Sequence, residues 1–247
     1  MEFKMKKQAP SDIIFPREHA RHTSNLMDSS ELNVEFNFDN VRQKKYILLI
    51  MGCFRYQHKA NNQKETWLKN LPKEIDYFHV MASEQIEQDF IIDKEKKLII
   101  VKCPDDYVNL PKKVIRAFEV VNNNFDYDVV LKTDDDQDAD VEFFSNITNL
   151  VNCFDANYGG FSIEIHKGHS VGIDPLHPEV TDTYRDPTRY CNGRFYFLSK
   201  PAVADLLTKK KVFEQRQVED YSVGFYMSPH IKEKTIYLPN TEKWFKG

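Results

Sequence analysis

A chain of 247 residues with 41% hydrophobic and 29% charged residues carries enough apolar material for one sizeable core. A formal net charge of −4, with lysine runs that are short and scattered, excludes the basic face that tracks nucleic acid. No stretch approaches the roughly 18 consecutive apolar residues of a membrane span. No apolar signal core follows the charged start at Met1 to Lys7, and the four cysteines show no metal-binding spacing. The expectation is therefore a soluble, cytoplasmic protein with reduced thiols.

Residues 1–44 are polar, with Pro10 and Pro16, and read as an extension ordered at most in part. A single domain is expected over 45–247. It opens at Tyr46 to Met51, a continuous apolar run that suits a parallel strand covered on both faces. Gly52-Cys53-Phe54-Arg55 forms the loop at its C-terminal edge. Gln63 to Leu68 reads as a helix that stops by Leu71-Pro72. Ile75 to Met81 is a second strand, Ser83 to Phe90 a helix or loop, and Lys97 to Val101 a third strand. A turn-rich loop from Cys103 to Leu110 precedes Pro111, which fits the first position of a helix. Val114, Phe118 and Val121 give that helix one apolar face.

Val129, Val130 and Leu131 then form a short apolar run that leads through Lys132 and Thr133 into Asp134, Asp135 and Asp136. Asp140 is placed to cap a helix carrying Phe144, Ile147 and Val151. Strands alternating with helices predict a doubly wound α/β sheet. Beyond it, Tyr158 to Ile165 reads as a strand and 166–190 as a long loop. Phe195 to Leu198 is a strand, and Ser199 caps a helix with Pro201 in its first turn. Glu219-Asp220 precedes an apolar stretch, and Thr235 to Leu238 is the last strand.

The three adjacent acids carry the chemistry. Aspartate is depleted from strands, so the chain leaves the sheet near Thr133 and presents the acids at the strand's C-terminal end, where open α/β sheets bind ligands. Their mutual repulsion is offset by a divalent cation, and oxygen ligands suit Mg²⁺, Mn²⁺ or Ca²⁺. In extended backbone Asp134 and Asp136 point to one side and Asp135 to the other. The competing reading is a solvated acidic turn. His166, His169 and His177, in the long loop, lack the spacing and fourth ligand of a zinc site.

Five segments in the same order resemble one family. Lys64-Glu65-Thr66-Trp67 is similar to an R-x-T-W helix, and Asp105-Asp106-Tyr107-Val108-Asn109-Leu110 to a D-S-Y-x-N-L segment. Lys132-Thr133-Asp134-Asp135-Asp136 resembles K-x-D-D-D. Tyr190 to Ser199 resembles Y-x-x-G-x-G-Y-x-x-S, and Glu219 to Gly224 resembles E-D-V-x-x-G. These are the motifs of the beta-1,3-galactosyltransferase and fringe group, family 31 of the inverting glycosyltransferases. The likeness covers roughly residues 46 to 230. Arg194-Phe195 stands where the family has its second glycine. The family's eukaryotic members carry an N-terminal membrane anchor and no such segment is read in this sequence, so a soluble bacterial or viral version is expected.

The resemblance implies a GT-A fold, with a mixed, mostly parallel central sheet flanked by helices. It also implies transfer from a UDP-sugar, with Mn²⁺ or Mg²⁺, to a glycan or other hydroxyl acceptor. Asp134 and Asp136 would hold the metal, and His230, the only histidine after the Glu-Asp pair, would take the family's histidine-ligand role. Gly52, Arg55, Lys132, Asp134, Asp135, Asn192 and Gly193 would bind the nucleotide sugar. Asp220 would be the base that takes the acceptor proton, with Glu219 as its helper or a substrate hydrogen-bond partner. Tyr184, Arg185 and Arg189 would meet the acceptor. The alternatives are a non-catalytic nucleotide-sugar or glycan-binding module, which the altered Arg194-Phe195 segment suggests, and a metal-dependent phosphoesterase, for which the sequence lacks the second cluster of His and Asp that two-metal sites show.

Overall fold

The computed structural model describes residues 44–170, 178–180, 184–238 and 245–246. The polar extension expected over 1–44 lies outside these apart from Lys44, whose ammonium bonds Asp155 at 2.9 Å. His177 also lies outside the described residues.

In chain order the elements are β1 (Tyr46–Met51), α1 (Gln57–Glu65), β2 (Ile75–Ala82), β3 (Phe90–Asp93), β4 (Leu98–Val101), α2 (Leu110–Asn124) and β5 (Val129–Asp134). There follow β6 (Asp138–Ala139), α3 (Val141–Phe154), β7 (Tyr158–Ile165), β8 (His169–Ser170), β9 (Tyr184–Arg185) and β10 (Thr188–Ser199). The chain ends with α4 (Lys200–Leu207), α5 (Lys210–Phe213), α6 (Glu219–Tyr226), α7 (Pro229–Lys232), β11 (Thr235–Leu238) and β12 (Phe245–Lys246). Eight strands form one sheet in the order β11-β7-β10-β5-β1-β2-β4-β3. Strands β5, β1, β2 and β4 run parallel, while β10 is antiparallel to both β5 and β7, and β3 is antiparallel to β4. The sheet is thus mixed rather than purely doubly wound.

The unbroken apolar run of β1 is explained by burial of both faces. Ile47, Leu49 and Met51 pack with Val114, Phe118 and Val121 of α2 and Val203 of α4. Tyr46, Leu48 and Ile50 pack on the other side with Phe144 and Val151 of α3 and with Trp67. Trp67 stacks on Phe144 at 5.5 Å, which makes it core. The expected caps form: the Asp140 carboxylate accepts from Glu142 N at 2.9 Å, and Ser199 Oγ from Ala202 N at 3.3 Å.

Three elements differ from expectation. Helix α1 starts six residues before Gln63, and a separate 3-10 turn covers Trp67–Asn70. It buries only Ala60 and Gln63, so no apolar period announces it. Residues 83–89 form a loop, one of the two forms expected, but Phe90 opens an unexpected edge strand, β3, whose first two residues are exposed. Strand β10 begins seven residues before Phe195, and its register against β7 shifts between Cys191 and Tyr196. That irregularity carries Asn192, Gly193 and Arg194 past the end of β5, and Thr133 Oγ1 donates to Arg194 O at 2.7 Å.

The bend of β7 against β10 depends on Gly160, with φ of 154°. A Cβ there would lie 2.3 Å from Phe195 O and 2.8 Å from Tyr196 Cα, both backbone atoms that cannot step aside. Gly160→Ala should therefore cost roughly 3 kcal/mol or more, read as a lowered midpoint of urea unfolding.

Candidate active site

The parallel strands deliver their C-terminal ends to one edge, and the acids emerge there. Gly52 follows β1, and Asp135 N donates to Met51 O at 3.0 Å. A Cβ on Gly52 would lie 3.2 Å from Asp135 Oδ2, so the β1 loop and the acidic turn are in close approach. Lys113 of α2 is 4% exposed and braces this loop. Its ammonium donates to Gly52 O at 2.7 Å and to Asp105 at 2.8 Å, and Asp105 in turn accepts from Phe54 N at 3.0 Å. Lys59 of α1 lies 3.8 Å from Asp135 and 4.9 Å from the centre of the Tyr56 ring.

Lys132 is the inner hub. Its side chain is wholly buried. The ammonium donates to Asp134 Oδ1 at 2.7 Å, to Gly193 O at 2.8 Å and to Glu219 Oε2 at 3.3 Å. Glu219 Oε1 accepts from the Tyr196 hydroxyl. The adjacent Asp220 is half-buried and faces the other way. Its Oδ2 accepts from Gly193 N at 3.0 Å and its Oδ1 from Tyr221 N at 2.7 Å. Gly193 lies in close approach to both Lys132 and Asp134, since a Cβ there would sit 3.2 Å from Lys132 Nζ and 3.3 Å from Asp134 Oδ2.

The electrostatics follow from one ammonium shared among crowded acids. Burial alone would lower the Lys132 pKa, but Asp134, Glu219 and Asp220 outweigh it and hold the ammonium above its ordinary value. Burial raises Glu219 to about 7 against the pull of Lys132, and Asp220 adds to the rise. Asp134 is raised by the protein packed around it, with Lys132 opposing and Asp136 and Asp220 reinforcing. Asp135 is raised to about 6 by burial, with Lys59 opposing. Such an excess of carboxylates suits a cation.

The structure gathers Gly52, Lys132, Asp134, Asp135, Asp136, Asn192, Gly193, Glu219 and Asp220 at this edge of the sheet. Asn192 is 8% exposed and its Oδ1 accepts from Arg194 N at 3.2 Å. Arg55 follows β1 but is exposed, its guanidinium 5.5 Å from the Tyr56 ring. Arg185 lies 5.7 Å over Tyr221 of α6 and donates to the Tyr190 hydroxyl at 3.2 Å. Arg189 stacks 4.2 Å from the Tyr237 ring, and Tyr184 is 57% exposed.

His230 does not join the acids. It sits exposed on the four-residue α7, which turns Ile231 into the core instead. Among the described residues no group of three His, Cys, Asp or Glu side chains is placed to hold a metal ion. Glu219 is likewise not placed to bond a substrate, because its carboxylate is 3% exposed and is engaged by Lys132 and Tyr196. Sequence reasoning missed Lys59, Lys113 and Tyr196. Lys113 left a signal, since it lies on the same stripe as Val114, Ala117, Phe118 and Val121, where a charge needs a buried partner.

The model of the galactosyltransferase family matches residues 59–234, a span that holds the acidic turn, the Gly193 segment and the Glu219-Asp220 pair. The chain belongs to this family. A search of curated proteins finds no match. Family membership makes the protein a glycosyltransferase, and its mixed sheet flanked by helices is of the GT-A type. No helix among the described residues of this galactosyltransferase-family chain is long and apolar enough to cross a membrane.

Its buried glutamate gives a pH prediction. A folded-state pKa of about 7 for Glu219 lies above the ordinary 4.5, so the folded protein holds this proton more tightly than the unfolded chain. Stability is then lost as pH rises from about 4.5 through 7. Gln at this position cannot ionise, while Lys132, Asp134, Asp220 and Tyr196 remain around it. The melting temperature of Glu219→Gln minus that of the wild type should therefore become more positive between pH 5 and pH 8. A constant difference across that range would show that Glu219 does not titrate there.

Proposed function

We propose that this family member is an inverting, metal-dependent transferase that moves a sugar from a UDP-sugar to a hydroxyl acceptor and leaves a beta linkage. The observation that carries the proposal is the buried Lys132 ammonium, which ties the acid at the end of β5 to the acid pair that opens α6. Groups for leaving-group stabilisation and for proton removal thus belong to one network.

The residues present fit a hard divalent cation. Asp134 engages Lys132 through Oδ1 and turns Oδ2 toward Gly193, where the missing Cβ leaves room. Asp136 is exposed at the tip of the turn, and its Oδ1 accepts from Gln137 Nε2 at 2.6 Å. Asp134 and Asp136 supply only oxygen, and Mn²⁺ or Mg²⁺ is commonly held by one or two carboxylates with substrate phosphates completing the sphere. When bound, the cation would stabilise charge on the departing diphosphate. Lys59, 3.8 Å from Asp135, would add positive charge on that side of the site. Lys132 is too deeply buried to touch substrate and acts by fixing Asp134.

Asp220 is the base. It is half-buried, and Gly193 N and Tyr221 N hold its two oxygens in place. The acceptor oxygen attacks the anomeric carbon from the face opposite UDP, and Asp220 takes its proton. The bond to the diphosphate breaks, and its electron pair leaves with UDP. Attack from the opposite face inverts the anomeric centre.

Three experiments test this reading. Chelation should abolish transfer and Mn²⁺ should restore it, and Asp136→Ala should lose metal-dependent UDP binding while keeping its melting temperature, because the side chain is exposed. Full activity in chelator would overturn metal dependence. Asp220→Asn keeps the size but offers a single oxygen to two N–H donors, so it should cost about 1 kcal/mol in stability. Its kcat should fall about 10²-fold or more, the scale of a lost general base, with donor KM nearly unchanged. Near-normal kcat would remove Asp220 from the chemistry.

A further inference from the structure

The acidic turn is held from behind by a buried pair that neither the chain's motifs nor the chemistry above accounts for. Gln63 of α1 is 3% exposed and His79 of β2 is 1% exposed. Gln63 Nε2 donates to Asp135 O at 3.0 Å and to Gln137 O at 3.0 Å. These two carbonyls flank Asp136. A carboxamide nitrogen has two protons, and both are committed to the turn. Gln63 Oε1 therefore faces the other way, where it lies 3.0 Å from His79 Nε2.

That geometry fixes the imidazole. Gln63 Oε1 only accepts, so His79 Nε2 carries the proton and Nδ1 is the bare nitrogen. Nδ1 is buried and has no hydrogen-bond partner among the described residues, as a nitrogen without a proton can tolerate better than an N–H. Burial, helped by Lys64, lowers the His79 pKa to about 4, so the ring stays neutral across the physiological range. The result is a rigid donor with one tautomer, standing behind a carboxamide with one orientation.

We propose that His79 and Gln63 form a positioning relay that fixes the backbone from Asp135 to Gln137, and so sets the direction in which Asp136 presents its carboxylate to a cation-bound diphosphate. The relay rests on the metal-binding role given to the acids above. It touches neither substrate nor metal, so both residues act through Asp136. Loss of a partner that orients a metal ligand typically weakens metal affinity by about 10- to 100-fold.

The test uses Mn²⁺ with UDP as the probe, followed by titration calorimetry on the full chain, together with steady-state kinetics and melting temperatures. Gln63→Leu and His79→Leu should each weaken Mn²⁺-dependent UDP binding by about 10-fold or more. In both, donor KM should rise far more than kcat falls, because Asp220 and Lys132 are untouched. His79→Gln is the discriminating variant, since its side-chain Nε2–H can replace the imidazole Nε2–H. It should recover binding to within a few-fold of wild type whatever its melting temperature. A merely structural role predicts that affinity tracks stability, with no special recovery in His79→Gln. Wild-type affinity in both leucine variants would overturn the relay, as would His79→Gln binding as weakly as His79→Leu. If the wild type itself failed to bind Mn²⁺ and UDP, the metal-binding reading would fall and the relay with it. The wild-type titration thus separates the two failures.

Discussion

An ammonium buried without water costs several kcal/mol unless carboxylates and carbonyls surround it. Lys132 meets that constraint with groups drawn from three elements: Asp134 of β5, the Gly193 carbonyl of β10 and Glu219 of α6. Displacing any of the three removes one of the ammonium's hydrogen bonds. The C-terminal end of the central strand, the irregular part of its antiparallel neighbour and the first turn of a helix are therefore locked together. Buried ion clusters seldom add stability over an apolar filling. What this one supplies is a fixed arrangement of acids, Asp134 and Glu219 on one ammonium with Asp220 and Asp136 close by, at the edge where a cation and diphosphate are proposed to sit.

Topology makes this possible. Parallel strands bring their ends to one edge, but they cannot send a chain back across that edge. Strand β10 does so by running antiparallel between β5 and β7. Its register shift between Cys191 and Tyr196 lets Asn192 and Gly193 leave the ladder and approach the acids. Tyr196, which pairs with Lys132 across the strands, then bonds Glu219 from below. The site is thus built on sheet and helix ends rather than on the long loop, which suits groups that must be held to a fraction of an ångström.

Much of this was legible because both faces of the central strands are buried, and continuous apolar runs such as Tyr46 to Met51 announce that directly. Elements stabilised by other means were not legible. Helix α1 is almost wholly polar and shows its function only through Gln63 and Lys59, which no periodicity marks. Strand β3 is half exposed and needs β4 to define it. The beginning of β10 is interrupted by the polar residues that reach the site. Among the residues that motif resemblance singled out, Lys132, Asp134 to Asp136, Gly193, Glu219 and Asp220 come together at one edge of the sheet. His230 is exposed on its short helix, and order along the chain carries no information on which side of such a helix faces inward.

The three consecutive acids also turn out not to act alike. Asp134 points with Lys132 toward α6, Asp135 is turned toward Gly52 and Lys59 on the α1 side, and Asp136 stands at the exposed tip beside Gln137. Each has its own partner, so the run is not a closed cage. A cation at Asp134 and Asp136 would have to complete its coordination with water or with the phosphate oxygens of the donor. Such a site gains affinity for metal and nucleotide together, and each raises the affinity for the other by the same factor. Asp135, 13% exposed and held near Lys59, is then better suited to shaping the nucleotide side of the pocket than to ligating metal. Strand β5 ends at Asp134 and the chain turns at Asp135 and Asp136, so it is the turn, and not the alternation expected of extended backbone over all three acids, that divides the run into these separate positions.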